Sequence, residues 1–157
     1  VYEVVLASQK AAIAAVKPGV ARSDVEAAAL RGQVEGLVRL GLLTGSVEEL
    51  IRNQSHRRFT LHGVSHWVGL DVHDPGRSVV DGKPRPLEPG MLFTIEPGIY
   101  VPVAGDIPAA YQGIGVRVED VVLVTKDGVD CLTCFVPKEL ADVEGAVSAG
   151  AGAAASR

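Results

Sequence analysis

At His56 the sequence changes character, and that change limits the folds open to it. Before it, apolar residues recur at helical spacing. Tyr2, Val5, Leu6, Ala12, Ile13 and Val16 stand three and four apart, which places them on one helix face. Pro18-Gly19 stop that helix. Ser23-Asp24-Val25-Glu26 has the form of a capping box, so a second helix is expected from about Asp24 to Leu40, closed by a left-handed Gly41. Gly32 and Gly36 lower its propensity and mean either close packing or a weak helix. Ser46 with Glu49 starts a short third helix to about Ile51.

After His56, Gly, Pro and His become frequent and apolar runs shrink to strand length. Met91 to Ile95 reads as a short strand between Pro89-Gly90 and Pro97-Gly98. Val116 to Val124 reads as a longer one, followed by a Lys126-Asp127-Gly128 turn and a return strand from Val129 to Thr133. Pro137 suits the first turn of a last helix, Lys138 to about Val147. Helices followed by a mainly antiparallel sheet give an α+β class. The expected organisation is one unit over 1–147, with a helical part (1–55), a sheet part (56–136) and a terminal helix (137–147), then a flexible Ala/Gly tail over 148–157.

Composition removes several function classes. Fifteen Lys and Arg against nineteen Asp and Glu give a net charge of -4 without a basic block, so nucleic acid is not an expected partner. No apolar run approaches the roughly 20 residues that span a bilayer, and no leader opens the chain, so no membrane partner and a cytoplasmic location are expected. Cys131 and Cys134 would close too short a loop to staple a domain, and are expected to be free thiols in a reducing compartment. His56, Arg57 and Arg58 read as a solvated basic loop.

Three of the four histidines, His62, His66 and His73, fall within twelve residues. Imidazole both ligates transition metals and moves protons near neutral pH. A helical pair of His62 and His66 is disfavoured by Gly63 and Gly69, so the segment is expected to enter and leave a strand beside a cleft. Glu96 ends an apolar run and Glu119 interrupts another. A buried ionised carboxylate costs several kcal/mol unless a cation or strong hydrogen bonds compensate. Arg117, two residues before Glu119, suits either a surface salt bridge or a group that steadies a ligand. Trp67 is expected to pack on the sheet, and Tyr100 either reaches the cleft or caps a turn.

Three ordered runs carry a resemblance. His62-Gly63-x-x-His66-x-x-Gly69-Leu70-x-x-His73-Asp74, Leu87-Glu88-Pro89-Gly90-Met91-x-x-Thr94-x-Glu96-Pro97-Gly98-x-Tyr100 and Gly113-x-Gly115-x-Arg117-x-Glu119-Asp120 together resemble the catalytic half of the pita-bread metallopeptidases. The likeness is nearest to aminopeptidase P, the Xaa-Pro aminopeptidases, and less near to prolidase. It implies an incomplete pita-bread fold, with helices covering a curved sheet, and a hydrolase that removes the N-terminal residue before proline. An Xaa-Pro dipeptidase, or a peptide-binding module without catalysis, are the alternatives.

The resemblance also implies roles. His66, Glu96 and Glu119 correspond to metal ligands, with Glu96 placed to assist an attacking metal-bridging hydroxide and Glu119 bridging. His62 and His73 correspond to catalytic pocket histidines, and His62, His73, Arg117 and Tyr100 to substrate-binding groups. The implied cofactor is manganese, two ions per complete site, with cobalt or zinc as substitutes. The family takes two further aspartate ligands from a hairpin ahead of the helix that opens this chain, and no residue here replaces them. The chain is therefore expected to be a fragment that opens in mid-helix and is inactive alone. Its expected partners are a peptide with proline second, the missing half of the domain, in the same or another chain, and further copies of itself.

Overall fold

Two glycines decide how the first helices meet. The computed structural model describes residues 1–154, with side-chain surroundings for residues 1–149. Helix α1 (Tyr2–Ala15) crosses α2 (Arg22–Arg39) at Gly32 and Gly36. A methyl built on Gly36 would lie 2.1 Å from a Val4 methyl carbon, and one on Gly32 3.0 Å from Ser8 Oγ. Both glycines are thus close-packing residues, and Ser8 turns its hydroxyl inward to the Val4 carbonyl at 2.7 Å. The helix ends at a left-handed Gly41, φ 71°.

The expected Ser23–Glu26 capping box does not form. Helix α2 begins at Arg22, where the Asp24 carboxylate accepts the Ala21 N–H at 3.3 Å and Glu26 pairs with Arg22 at 2.7 Å. Ala21 also bridges to Pro86, and that tertiary contact fixes the start two residues early. Helix α3 (Val47–Arg52) has the cap expected of it, with Ser46 Oγ accepting the Glu49 N–H at 3.3 Å. A 3-10 turn follows over Ser55–Arg58. His56 is buried in it rather than solvated, and its neighbour Arg58 pairs with Asp106.

Strands β1 (Val79–Val80) and β2 (Lys83–Pro84) form a small hairpin that the sequence reading did not anticipate. Its signal was Asp81-Gly82, both at positive φ (51° and 74°). Strand β3 (Leu92–Ile95) leads through Glu96-Pro97 into β4 (Gly98–Tyr100). The single strand expected over Val116–Val124 is two, β5 (Gly115–Arg117) and β6 (Asp120–Val124). The chain breaks at Val118-Glu119 because β5 pairs with β4 while β6 pairs with β3 and β7 (Val129–Cys131), all antiparallel.

Helix α4 spans Leu140–Ala154, starting later than expected and continuing through most of the expected tail, since alanine sustains a helix without tertiary help. The last residues of that tail, 155–157, lie outside the described residues. No described helix is long and apolar enough to cross a membrane. The core has two parts. One joins Ala12, Val25 and Ala29 to Phe93, Ile95 and Val122. The other joins Val5 and Leu37 to Phe59, Ile99 and Val118. Glu96 and Pro97 lie on the chain between Ile95 in one part and Ile99 in the other.

Candidate metal centre

Residues 64–68 run beside β3 without becoming a regular strand, correcting the expectation of one there. Backbone bonds tie them to it: Thr94 N–H to His66 O at 2.9 Å, Glu96 N–H to Val64 O at 2.7 Å and Val68 N–H to Leu92 O at 3.2 Å. This ladder sets His66 beside Glu96. The break between β5 and β6 then brings in Glu119, so that a His66 ring nitrogen and one oxygen each of Glu96 and Glu119 lie within 4.8 Å of one another.

The ring of His66 is oriented for ligation. Its Nδ1–H donates to the Trp67 carbonyl at 2.9 Å, which turns Nε2 toward Glu96 Oε1 at 3.2 Å. Glu96 is 8% exposed, a cost that only cations or donors offset. Arg117 supplies part of the compensation, 3.7 Å from Glu96 Oε2 and 3.9 Å from Glu119 Oε2. An imidazole and two carboxylates form a donor set that suits a divalent ion such as manganese or zinc.

Thr94 was missed as a site residue by sequence reasoning, although it lies inside a quoted motif. Its hydroxyl accepts the His66 N–H at 3.0 Å and donates to Glu96 Oε1 at 3.2 Å, linking two candidate ligands. The only hint in sequence was its place two residues before Glu96, which puts both on one face of an extended chain.

His73 is exposed and edge-on to the His66 ring, centroids 4.4 Å apart. His62 and Tyr100 form a second pair. His62 Nδ1–H donates to Gly63 O at 2.7 Å and its Nε2 accepts from the Tyr100 hydroxyl at 2.7 Å. Tyr100 therefore reaches a histidine rather than capping a turn. The pair crowds Gly98, where an added methyl would come within 2.9 Å of both side chains, and Gly98 pairs with Arg117 across β4 and β5. Trp67 packs against Phe93, centroids 5.7 Å apart, and donates to Ser78 Oγ at 3.1 Å.

A groove of about 650 Å³ adjoins His62, walled by Ala27, Leu30, Gln33 and Val64. Gln33 Nε2 donates to Gly98 O at 2.8 Å, while its buried Oε1 has no partner among the described residues. Burial at the groove wall pushes the Glu26 carboxyl above its ordinary value, against the opposing pull of Arg22.

One further cluster, Asp120 with Cys131 and Cys134, is not a cation site as it stands. The cysteines are joined in a disulfide, which corrects the expectation of free thiols. The turn after β7 brings their Cα atoms to 5.4 Å, inside the bridging range. Both Asp120 oxygens are already taken by Gln9, Thr133 and Lys138.

Against known proteins, the chain is 49% identical to the Xaa-Pro aminopeptidase of Haemophilus influenzae over 92% of its length, and that stretch is 33% of the relative. The Escherichia coli enzyme of the same name is 43% identical over 92% of this chain and 32% of its own. Among solved structures, Pseudomonas aeruginosa aminopeptidase PepP superposes with a TM-score of 0.90 at 44% identity, covering 96% of this chain and 34% of that one. Escherichia coli aminopeptidase P with the inhibitor Pro-Leu gives 0.87 at 42% identity, covering 94% and 34%. The chain thus spans about a third of the length of the curated relatives it matches. The sequence profile of metallopeptidase family M24 aligns with residues 1–126, and with that match, and the pita-bread architecture of its structural neighbours, the chain belongs to metallopeptidase family M24.

Proposed function

We propose that this chain contributes His66, Glu96 and Glu119 to the metal site of an Xaa-Pro aminopeptidase, and that the rest of that site comes from a part of the domain not contained in it. The observation that carries this reading is the convergence of the three side chains within 4.8 Å, on a loop, a strand end and a strand break that are far apart in sequence. The names of the relatives supply the substrate class, a peptide with proline in second position.

Two manganese ions, the metal we favour over cobalt or zinc, would be held by these residues together with two aspartates from the remaining half. They would supply a water acidic enough to deprotonate near neutral pH and polarise the scissile carbonyl. The residues of this chain do the rest. Glu96, buried and aligned by Thr94, accepts the proton of the attacking water. Exposed His73, beside His66, donates to the carbonyl oxygen as negative charge develops there. Arg117 lies against both Glu96 and Glu119, and the Tyr100–His62 pair borders the substrate.

The groove beside α2, where the Gln33 oxygen has no partner among the described residues, is the surface on which the remaining half packs. Alone, the chain should not turn over substrate. The test is peptidase activity against a proline-second peptide, for this chain and for the polypeptide extended upstream. Activity is expected only in the extended protein and should drop by more than about a thousandfold in Glu119→Ala, since the two-metal clamp would lose a shared ligand. Undiminished turnover in that variant would overturn the assignment.

A further inference from the structure

The Cys131–Cys134 bond lies outside the site described above. It closes only the turn after β7, and a loop so short gives little chain-entropy stabilisation compared with one that closes tens of residues. It is also accessible, since Cys134 is exposed and Cys131 half-buried. Both features suit a bond that is made and broken more than one that holds a fold together.

The turn it constrains is wired into the interior. Thr133, between the two cysteines, donates to Asp120 Oδ1 at 2.6 Å and accepts the Val121 N–H at 3.0 Å. The Leu132 N–H donates to Val121 O at 2.9 Å. Asp120 is 1% exposed, takes a second bond from Gln9 of α1 at 2.7 Å and pairs with Lys138 at 2.8 Å. Lys138 in turn donates to Thr133 O and Val136 O, both at 3.0 Å. The disulfide, Thr133 and Lys138 thus close one clamp on the residue that follows Glu119.

We propose that Cys131–Cys134 is a thiol–disulfide exchange site for a dithiol reductant, and that its reduction loosens the turn and its clamp on Asp120. A thiolate of the dithiol attacks the exposed Cys134 sulfur, and the Cys131 sulfur leaves and takes up a proton. The second thiol of the dithiol then displaces Cys134 from the mixed disulfide. On balance the dithiol becomes a disulfide and the chain gains two electrons and two protons. None of this depends on whether Glu119 holds a cation.

The experiment is alkylation of the folded chain, purified without reductant, followed by intact mass. Iodoacetamide alone should add nothing, whereas dithiothreitol without denaturant should allow both cysteines to be alkylated. Alkylation of both without reductant, or of neither until guanidinium unfolds the chain, would overturn exchange at this site. Hydrogen exchange tests the coupling. On reduction, the amides of Val121 and Leu132 should exchange about tenfold faster while those of α2 do not change. Cys134→Ser should match the reduced chain without added dithiol. Unaltered exchange at Val121 and Leu132 in the reduced wild-type chain would overturn the coupling, whether or not that variant folds.

Discussion

Thr94 has one hydroxyl and spends it twice, on the His66 amide and on Glu96 Oε1. Thr94→Val removes both bonds at nearly constant volume. Metal affinity should fall about 10- to 100-fold, as it does when groups behind metal ligands are lost, with Thr94→Ser restoring most of it. Manganese titration of the extended protein measures this, and equal affinity in Thr94→Val would show that the hydroxyl positions nothing. Burial, with Arg57 nearby, holds the His56 imidazole below its ordinary value of 6.5. The unfolded chain then takes a proton before the folded one does. Stability is therefore unaffected above that value and declines as pH falls through it toward the depressed folded value. Melting at about pH 7.5 and 5.5 should show a smaller loss in His56→Gln than in the wild type. Clustered histidines and carboxylates that interrupt apolar runs marked the region, and the resemblance to the pita-bread metallopeptidases singled out His66, Glu96 and Glu119 within it as candidate ligands. Thr94 was not, because a hydroxyl two residues from a glutamate carries no sign of the backbone that will run beside it.

Elements show the same division. Helix α3 was readable from Ser46 and Glu49 because its cap is local. Helix α2 was placed two residues late because the bridge from Ala21 to Pro86 decides its start, and nothing near Ser23 reveals Pro86. The break at Val118-Glu119 was hidden by the valines that recur on both sides of it. It arises because β5 and β6 pair with different partners, and it is the break that places Glu119 in the site. At Gly36, alanine would favour the isolated helix by about 1 kcal/mol. In the fold its methyl meets Val4 at 2.1 Å, and overpacking of that kind costs about 1–3 kcal/mol. Gly36→Ala should therefore lower stability in denaturant titration, and a gain would show that α1 and α2 part easily. Asp120→Ala should cost about 3 kcal/mol or more in the same titration, because it takes the counter-charge from the Lys138 ammonium, which is 12% exposed and keeps only two carbonyl acceptors.

At the scale of the molecule, the chain carries a core in two parts and a groove beside α2 whose buried Gln33 oxygen has no partner among the described residues. Adding the remaining part of the domain should cover that groove and raise the melting temperature by several degrees, read by calorimetry. The fold class was legible in the shift of pattern at His56. The disulfide was not, because sequence gives a spacing of three residues and not the turn that brings the two Cα atoms to 5.4 Å. The central claim is that His66, Glu96 and Glu119 are one share of a two-ion site. It is tested most directly by the manganese stoichiometry of the upstream-extended protein and its Glu119→Ala variant. About two ions per wild-type chain, falling to one or none in the variant, is the expected result. Two ions held as tightly by the variant as by the wild type would contradict it.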